Sequence, residues 1–137
     1  MKAQFWTQHE RKIEQTVRAI AAFLSLAVLA LLLPFVEALR PAGEAVATWW
    51  QRAGAPVAVF AFIAQNKCQY LGALLTPGSF TSAEMESLRG KYRRTHQISL
   101  SAAIFLTVIG TVVWGYGDLF VKTAEMTLAR PTGHTVR

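Results

Sequence analysis

The sequence predicts an all-α integral membrane protein with three transmembrane helices, the third extended by a cytoplasmic amphipathic helix. Three observations carry that expectation. The chain is 53% hydrophobic and only 16% charged, less charge than a soluble domain usually holds. Its apolar residues are gathered into three long runs instead of being spread along amphipathic helices. Its net charge of +6 comes mainly from the two ends and one loop, the parts such an arrangement leaves in water. At 137 residues there is room for one domain at most. The basic balance suits anionic headgroups of an inner membrane. No nucleic-acid partner is expected, because the longest runs are lipid-like.

Residues 1–18 form a polar lead-in. Arg11, Lys12 and Arg18 are basic, partly offset by Glu10 and Glu14. Phe5, Trp6, Ile13 and Val17 suggest an amphipathic helix lying in the interface, with Phe5 and Trp6 as anchors.

The first span covers 19–39. Its core, Ala19 to Val36, contains no charge. At about 1.5 Å per residue that core covers roughly 27 Å, nearly the hydrocarbon thickness. Pro34 falls near its end, where a kink is tolerated. Basic residues before an apolar run, with Ala45 and Ala47 spaced as a cleavage site, also fit a long leader. In outline the chain resembles conjugative pilins, which have such leaders followed by two hydrophobic helices around a basic loop, though no specific motif carries a family assignment. The core is longer than a normal leader's apolar region, so cleavage is not expected.

Arg40, Pro41, Ala42 and Gly43 break the helix, and Trp49 and Trp50 suit an aromatic belt. The second span, 55–75, opens at Pro56, a residue favoured at the first helical position. Its centre reads Gln65, Asn66, Lys67, Cys68, Gln69. A turn follows at Thr76 to Ser79, then a basic helix over 82–97, capped by Thr81 or Ser82 with Glu84 and Glu86 in its first turn. Only Gly90 interrupts the path into the third span, 98–121, so the two form one long helix. The polar tail, 122–137, with Pro131 and Gly133, is expected to be irregular.

An odd number of spans puts the N-terminus and the second loop on one side. That side holds Arg89, Lys91, Arg93 and Arg94 as well as the basic lead-in, so it is expected to be cytoplasmic, with the C-terminus opposite.

Small residues recur along two helices. In the second span Gly54, Ala58, Ala61, Gln65, Cys68 and Gly72 follow steps of four and three; in the third, Ser99, Ala103, Thr107, Thr111 and Gly115 follow steps of four. Small residues let helix backbones approach, and Ser, Thr and Gln can hydrogen-bond across. These are read as packing faces of a pair. Gln65, Asn66, Lys67 and Gln69 are intramembrane polar residues on this frame. A mid-span Lys67 costs at least roughly 2.5 to 3.5 kcal/mol, so it calls for a carboxylate, a lipid phosphate or a polar cavity. Asp118 lies at the wrong depth to serve. Arg89, Lys91, Arg93 and Arg94 are read as an anchor or docking cluster for anionic lipid or an acidic partner.

Nothing in the chain points to an enzyme or a cofactor. The histidines, His9, His96 and His134, lie outside the apolar runs, so no haem is held between spans. No nucleophile stands beside a base, no glycine-rich loop is built for phosphate, and no metal-ligand spacing occurs. The single Cys68 excludes an intrachain disulfide. The expected role is a non-catalytic subunit packed among other membrane subunits or copies of itself. The alternatives are a channel-forming or pilin-like component of a secretion or conjugation apparatus, or a small transporter subunit.

Overall fold

The computed structural model describes residues 2–76 and 83–128, and within them every long element is helical. Helix α1 runs Lys2–Leu32, helix α2 Val46–Leu75 and helix α3 Ala83–Leu128. Each lies antiparallel to the next. By length and composition two of them are able to cross a membrane, through Thr7–Phe35 and Glu86–Leu119. Helix α2 falls short of that mark, with Arg52 in its first half and the Gln65 to Gln69 stretch in its second.

Helix α1 is one straight run through the expected lead-in. Ile13 is fully buried, Thr16 nearly so, and Ile13 packs with Ile20 against Leu71, Leu75 and Cys68 of α2. The lead-in is therefore a core-forming turn of α1 and not a separate surface segment. The physical reason is the spacing of Ile13, Ile20 and Ala27, seven apart and all buried, which keeps one stripe on α2 over four turns. The anchors expected at Phe5 and Trp6 lie outside the described side chains. Pro34 ends the helix, since it lacks an N–H and disfavours α geometry before it. Two single 3-10 turns, Leu33–Phe35 and Glu37–Leu39, follow. Glu44 N–H then donates to Pro41 carbonyl across a turn whose third residue, Gly43, has φ of 85°, the left-handed region a type II turn requires there.

Helix α2 begins at Val46, ten residues before Pro56. Ala45 is extended, and the Trp49 N–H donates to its carbonyl at 3.1 Å. Pro56 is an interior residue whose ring faces outward. It forfeits only the bond to the Arg52 carbonyl. Residues 46–54 are held helical by packing on both neighbours: Phe35 meets Trp50 edge-on at 4.6 Å, and Gln51 meets the backbone at Gly117. Helix α2 ends at Thr76, whose N–H donates to Ala73 carbonyl and whose hydroxyl donates to Gly72 carbonyl. The turn expected after Thr76, and the caps at Thr81 and Ser82, lie outside the described residues.

Helix α3 joins the basic segment and the third apolar run in one helix of 46 residues, about 70 Å long at 1.5 Å per residue. It continues seven residues past 121, into the stretch expected to be irregular. Lys122 pairs with Asp118 at 3.3 Å one turn back, and the Thr123 and Thr127 hydroxyls donate to Leu119 and Thr123 carbonyls, so these three polar side chains are satisfied within the helix.

The interior changes character along the bundle axis. Where the start of α1, the end of α2 and the start of α3 meet, large side chains fill it: Ile13, Ile20, Leu71 and Leu75, with Val17, Leu24, Leu74, Leu88, Tyr92 and Leu100 around them. Toward the other end the buried set is small: Ala27, Ala53, Gly54, Ala61, Ala64 and Ala103, with Val57. There the large apolar residues point outward. Leu29 is 60% exposed, Phe35 67%, Phe62 55% and Phe105 65%.

Candidate functional site

Two features stand out, the contact between α2 and α3 and the basic end of the bundle. The contact is set by glycine. A Cβ built on Gly110 would sit 2.5 Å from the Ala58 nitrogen and 2.9 Å from the Gly54 carbonyl oxygen. One built on Gly54 would strike the Trp114 nitrogen and lie 2.6 Å from Gly110 oxygen. The two backbones touch here, which only residues without a Cβ permit. Further along, Gly117 lies against Gln51, and Gly72 against the His96 ring. Steps of seven on α3, from Gly117 to Gly110, match steps of seven on α2, from Gln51 to Ala58. The buried α2 residues obey the same rule, with Gly54, Ala61, Cys68 and Leu75 in one row and Val57, Ala64 and Leu71 in the other. This is the heptad pattern of a left-handed antiparallel pair.

The residues expected on the α2 face lie as follows. Gly54, Ala61 and Cys68 are buried, and Ala58, Gln65 and Gly72 are half-buried. On α3, Ala103 is buried, Ser99 and Thr107 are half-buried, and Thr111 and Gly115 are exposed. A Cβ on Gly115 would meet nothing within 4 Å. The α3 contact thus follows His96, Ala103, Gly110 and Gly117, not a row of fours. A strict step of four drifts around a helix of 3.6 residues per turn, and by Thr111 it has left the interface. The hydroxyls do not bridge helices either. Thr107 donates to the Ala103 carbonyl and Thr111 to the Thr107 carbonyl, each at 2.8 Å within α3. Gly110 and Gly117 escaped the sequence reading, although they continue the steps of seven that run from His96 through Ala103.

The basic end gathers side chains from all three helices. His9 Nε2 lies 3.3 Å from the Leu74 carbonyl, and His96 Nε2 lies 3.1 Å from the Cys68 carbonyl. Two imidazoles, from α1 and from α3, thus reach α2 carbonyls: Leu74 lies in the last turn, where helix carbonyls lack intrahelical donors, and Cys68 about two turns earlier. Lys91 reaches Glu10 at 3.4 Å, tying α3 to α1. Its ammonium is held above the ordinary lysine range, first by the Tyr92 phenol beside it and then by Glu10. Arg89, Arg93 and Arg94 are exposed. Arg89 and Arg93 join His96, Gln97 and Thr76 around an open cleft of about 370 Å³.

Asn66, Lys67 and Gln69 are exposed. Lys67 stands beside Lys12, Thr16 and Tyr70 at the start of α1's apolar run, on the rim of a second cleft. Its neighbours are therefore those of the polar end. Asp118 pairs with Lys122 and not with Lys67. Two of the basic residues at the opposite end are matched by acids: Arg52 contacts Glu44 at 2.6 Å, and Lys122 contacts Asp118. Among the described residues, no three of the His, Cys, Asp and Glu side chains converge as metal ligands. No family model, curated protein or solved structure matches this chain.

Proposed function

We propose that this chain is a three-span integral membrane protein with its basic end in the cytoplasm, serving as a non-catalytic subunit that packs within and stabilises a larger membrane assembly. The observation that carries the reading is the inverted half of the bundle. There glycine and alanine fill the interior while Leu29, Phe35, Phe62, Phe105 and Trp114 face out. In water that surface would be a severe liability; against acyl chains or neighbouring apolar helices it is at ease. In this frame the bilayer takes in residues 19–39 of α1 and the stretches of α2 and α3 packed beside them. Arg89, Arg93 and Arg94, which have no ion pair among the described residues, stay on the side where basic residues are retained.

A scaffold role is favoured over conduction because α2 and α3 close backbone to backbone through Gly54 and Gly110. A polar pore would need several copies arranged around Asn66 and Gln69. The test is extraction in mild detergent followed by native mass spectrometry of the tagged chain. Other polypeptides held at fixed stoichiometry support the subunit reading, and their identities define the assembly. A homo-oligomer alone contradicts it and favours a channel. A homo-oligomer whose intact mass lacks the first 47 residues favours a pilin-like polymer.

A further inference from the structure

The cleft between α1 and α2 carries a more specific assignment, which rests on the membrane reading above. Its rim is formed by Lys12, Gln15, Thr16, Ala19, Lys67 and Tyr70, around about 280 Å³. Two ammonium groups from different helices converge on it. The carboxylates nearest in sequence are engaged elsewhere: Glu10 with Lys91 and Glu14 with Arg18. Among the described residues neither Lys12 nor Lys67 has an ion-pair partner. Thr16 turns its hydroxyl back to the Lys12 carbonyl at 2.8 Å. The donors free to act in the cleft are therefore the two ammoniums, the Gln15 amide and the Tyr70 hydroxyl. That set suits a phosphate oxygen cluster, which takes charge-assisted bonds from several donors at once.

The cleft's level in the bundle decides what kind of phosphate. Ala19, on its rim, is the first residue of α1's uncharged run, and Lys67 stands three residues past Ala64, where α2's apolar stretch ends. Beyond the cleft, half-buried Ile63 and Phe60 continue the Lys67 face of α2 toward the apolar end. A small residue at position 19 leaves room for a chain to pass from the cleft onto that face. We propose that the α1/α2 cleft binds the phosphate of one anionic glycerophospholipid, with Lys12 and Lys67 pairing its charge and an acyl chain lying along the α1/α2 groove. A zwitterionic lipid is disfavoured, because its own cation would find two lysines and no free carboxylate. The site differs from the Arg89 and Arg93 cleft, which lies between α2 and α3 and farther toward the polar end.

The test uses the full chain in a neutral detergent, with native mass spectrometry of adducts formed on adding phosphatidylglycerol or phosphatidylcholine. The wild type is expected to retain phosphatidylglycerol in preference. Lys12→Gln with Lys67→Gln is expected to weaken that adduct by about tenfold to thirtyfold, the worth of two lysines at headgroup level. Arg89→Gln with Arg93→Gln should change it less, and Lys12→Arg with Lys67→Arg should keep it. Equal retention of both lipids, or no loss in the double glutamine variant, would overturn the assignment. So would displacement of the lipid by millimolar inorganic phosphate, which would make the cleft a site for a soluble anion. Carbonate extraction of the same samples separates the two claims. A chain stripped from membranes strikes the membrane reading, whereas a chain that stays and shows no lipid preference strikes the cleft alone.

Discussion

The two ends of the bundle obey opposite packing rules. At the polar end Ile13, Ile20, Leu71 and Leu75 are inside, and Lys12, Arg18, Arg89 and Arg93 are outside. That is the arrangement water imposes, with stability drawn from removing apolar area. At the apolar end Gly54, Ala61, Ala64 and Gly110 are inside, and Leu29, Phe62, Phe105 and Val108 are outside. Burying large apolar groups brings no gain where the surroundings are themselves apolar. Close backbone contact and dispersion then become the source of association. The same three helices cross both regimes without a break, and on the proposed membrane reading the change of rule along them corresponds to a change of solvent.

Four substitutions would break or sharpen that contrast. The largest effect is expected from Gly110→Leu, which drives a side chain into the backbone at Gly54 and Ala58. It should abolish the α2/α3 contact, with loss of the cooperative melt in detergent, while Gly115→Leu, farther along the same helix and in open space, should leave the melt unchanged. Next comes Leu71→Ala in the large-residue core, expected to cost about 2–5 kcal/mol by the same melt. Phe105→Ala, which removes a comparably large but outward-facing group, should cost far less. Third, Phe62→Asp should reduce insertion by the equivalent of about 2.5–3.5 kcal/mol in a membrane-fractionation assay, whereas Asn66→Asp, four residues on, should not. The smallest effect is expected from Lys91→Ala. The raised Lys91 pKa means that its contribution is complete below the ordinary lysine value, about 10.4, and is lost only as pH rises through the higher folded one. Wild type and variant should therefore differ in melting temperature by the same small amount from about pH 6 to pH 9, and should converge only above that.

Much of the fold was legible because long apolar runs and turn residues are local signals. Pro34 and the Pro41 to Gly43 segment mark the breaks where they fall. The α2 face was legible too, since its steps of four and three keep it on one side. What the sequence hid was relative depth. Lys67 is central when α2 is centred on its own apolar residues, and a run starting at Pro56 invites that choice. The pairing of α2 with its neighbours, His9 with Leu74 and Phe35 with Trp50, sets Lys67 level with the start of α1's apolar run, beside Lys12 and Thr16. The α3 face was misjudged for a related reason. Ser and Thr in steps of four looked like an interface, but those hydroxyls are satisfied by their own helix, and Gly110 and Gly117 make the contact. The cleft of Lys12, Lys67 and Tyr70 could not be read from one helix at all, because its residues meet only after α1 has packed on α2.

On the proposed membrane reading the water boundary on the outer face of α2 falls between Phe62 and Asn66, and site-directed spin labelling in liposomes measures it directly. Nitroxides placed singly at Phe62, Asn66, Gln69 and Phe105 would be relaxed by dissolved oxygen and by a water-soluble nickel chelate. The account predicts oxygen access and chelate exclusion at Phe62 and Phe105, with strong chelate access at Asn66 and Gln69. Chelate exclusion at Asn66 and Gln69, as a span over 55–75 requires, would contradict it.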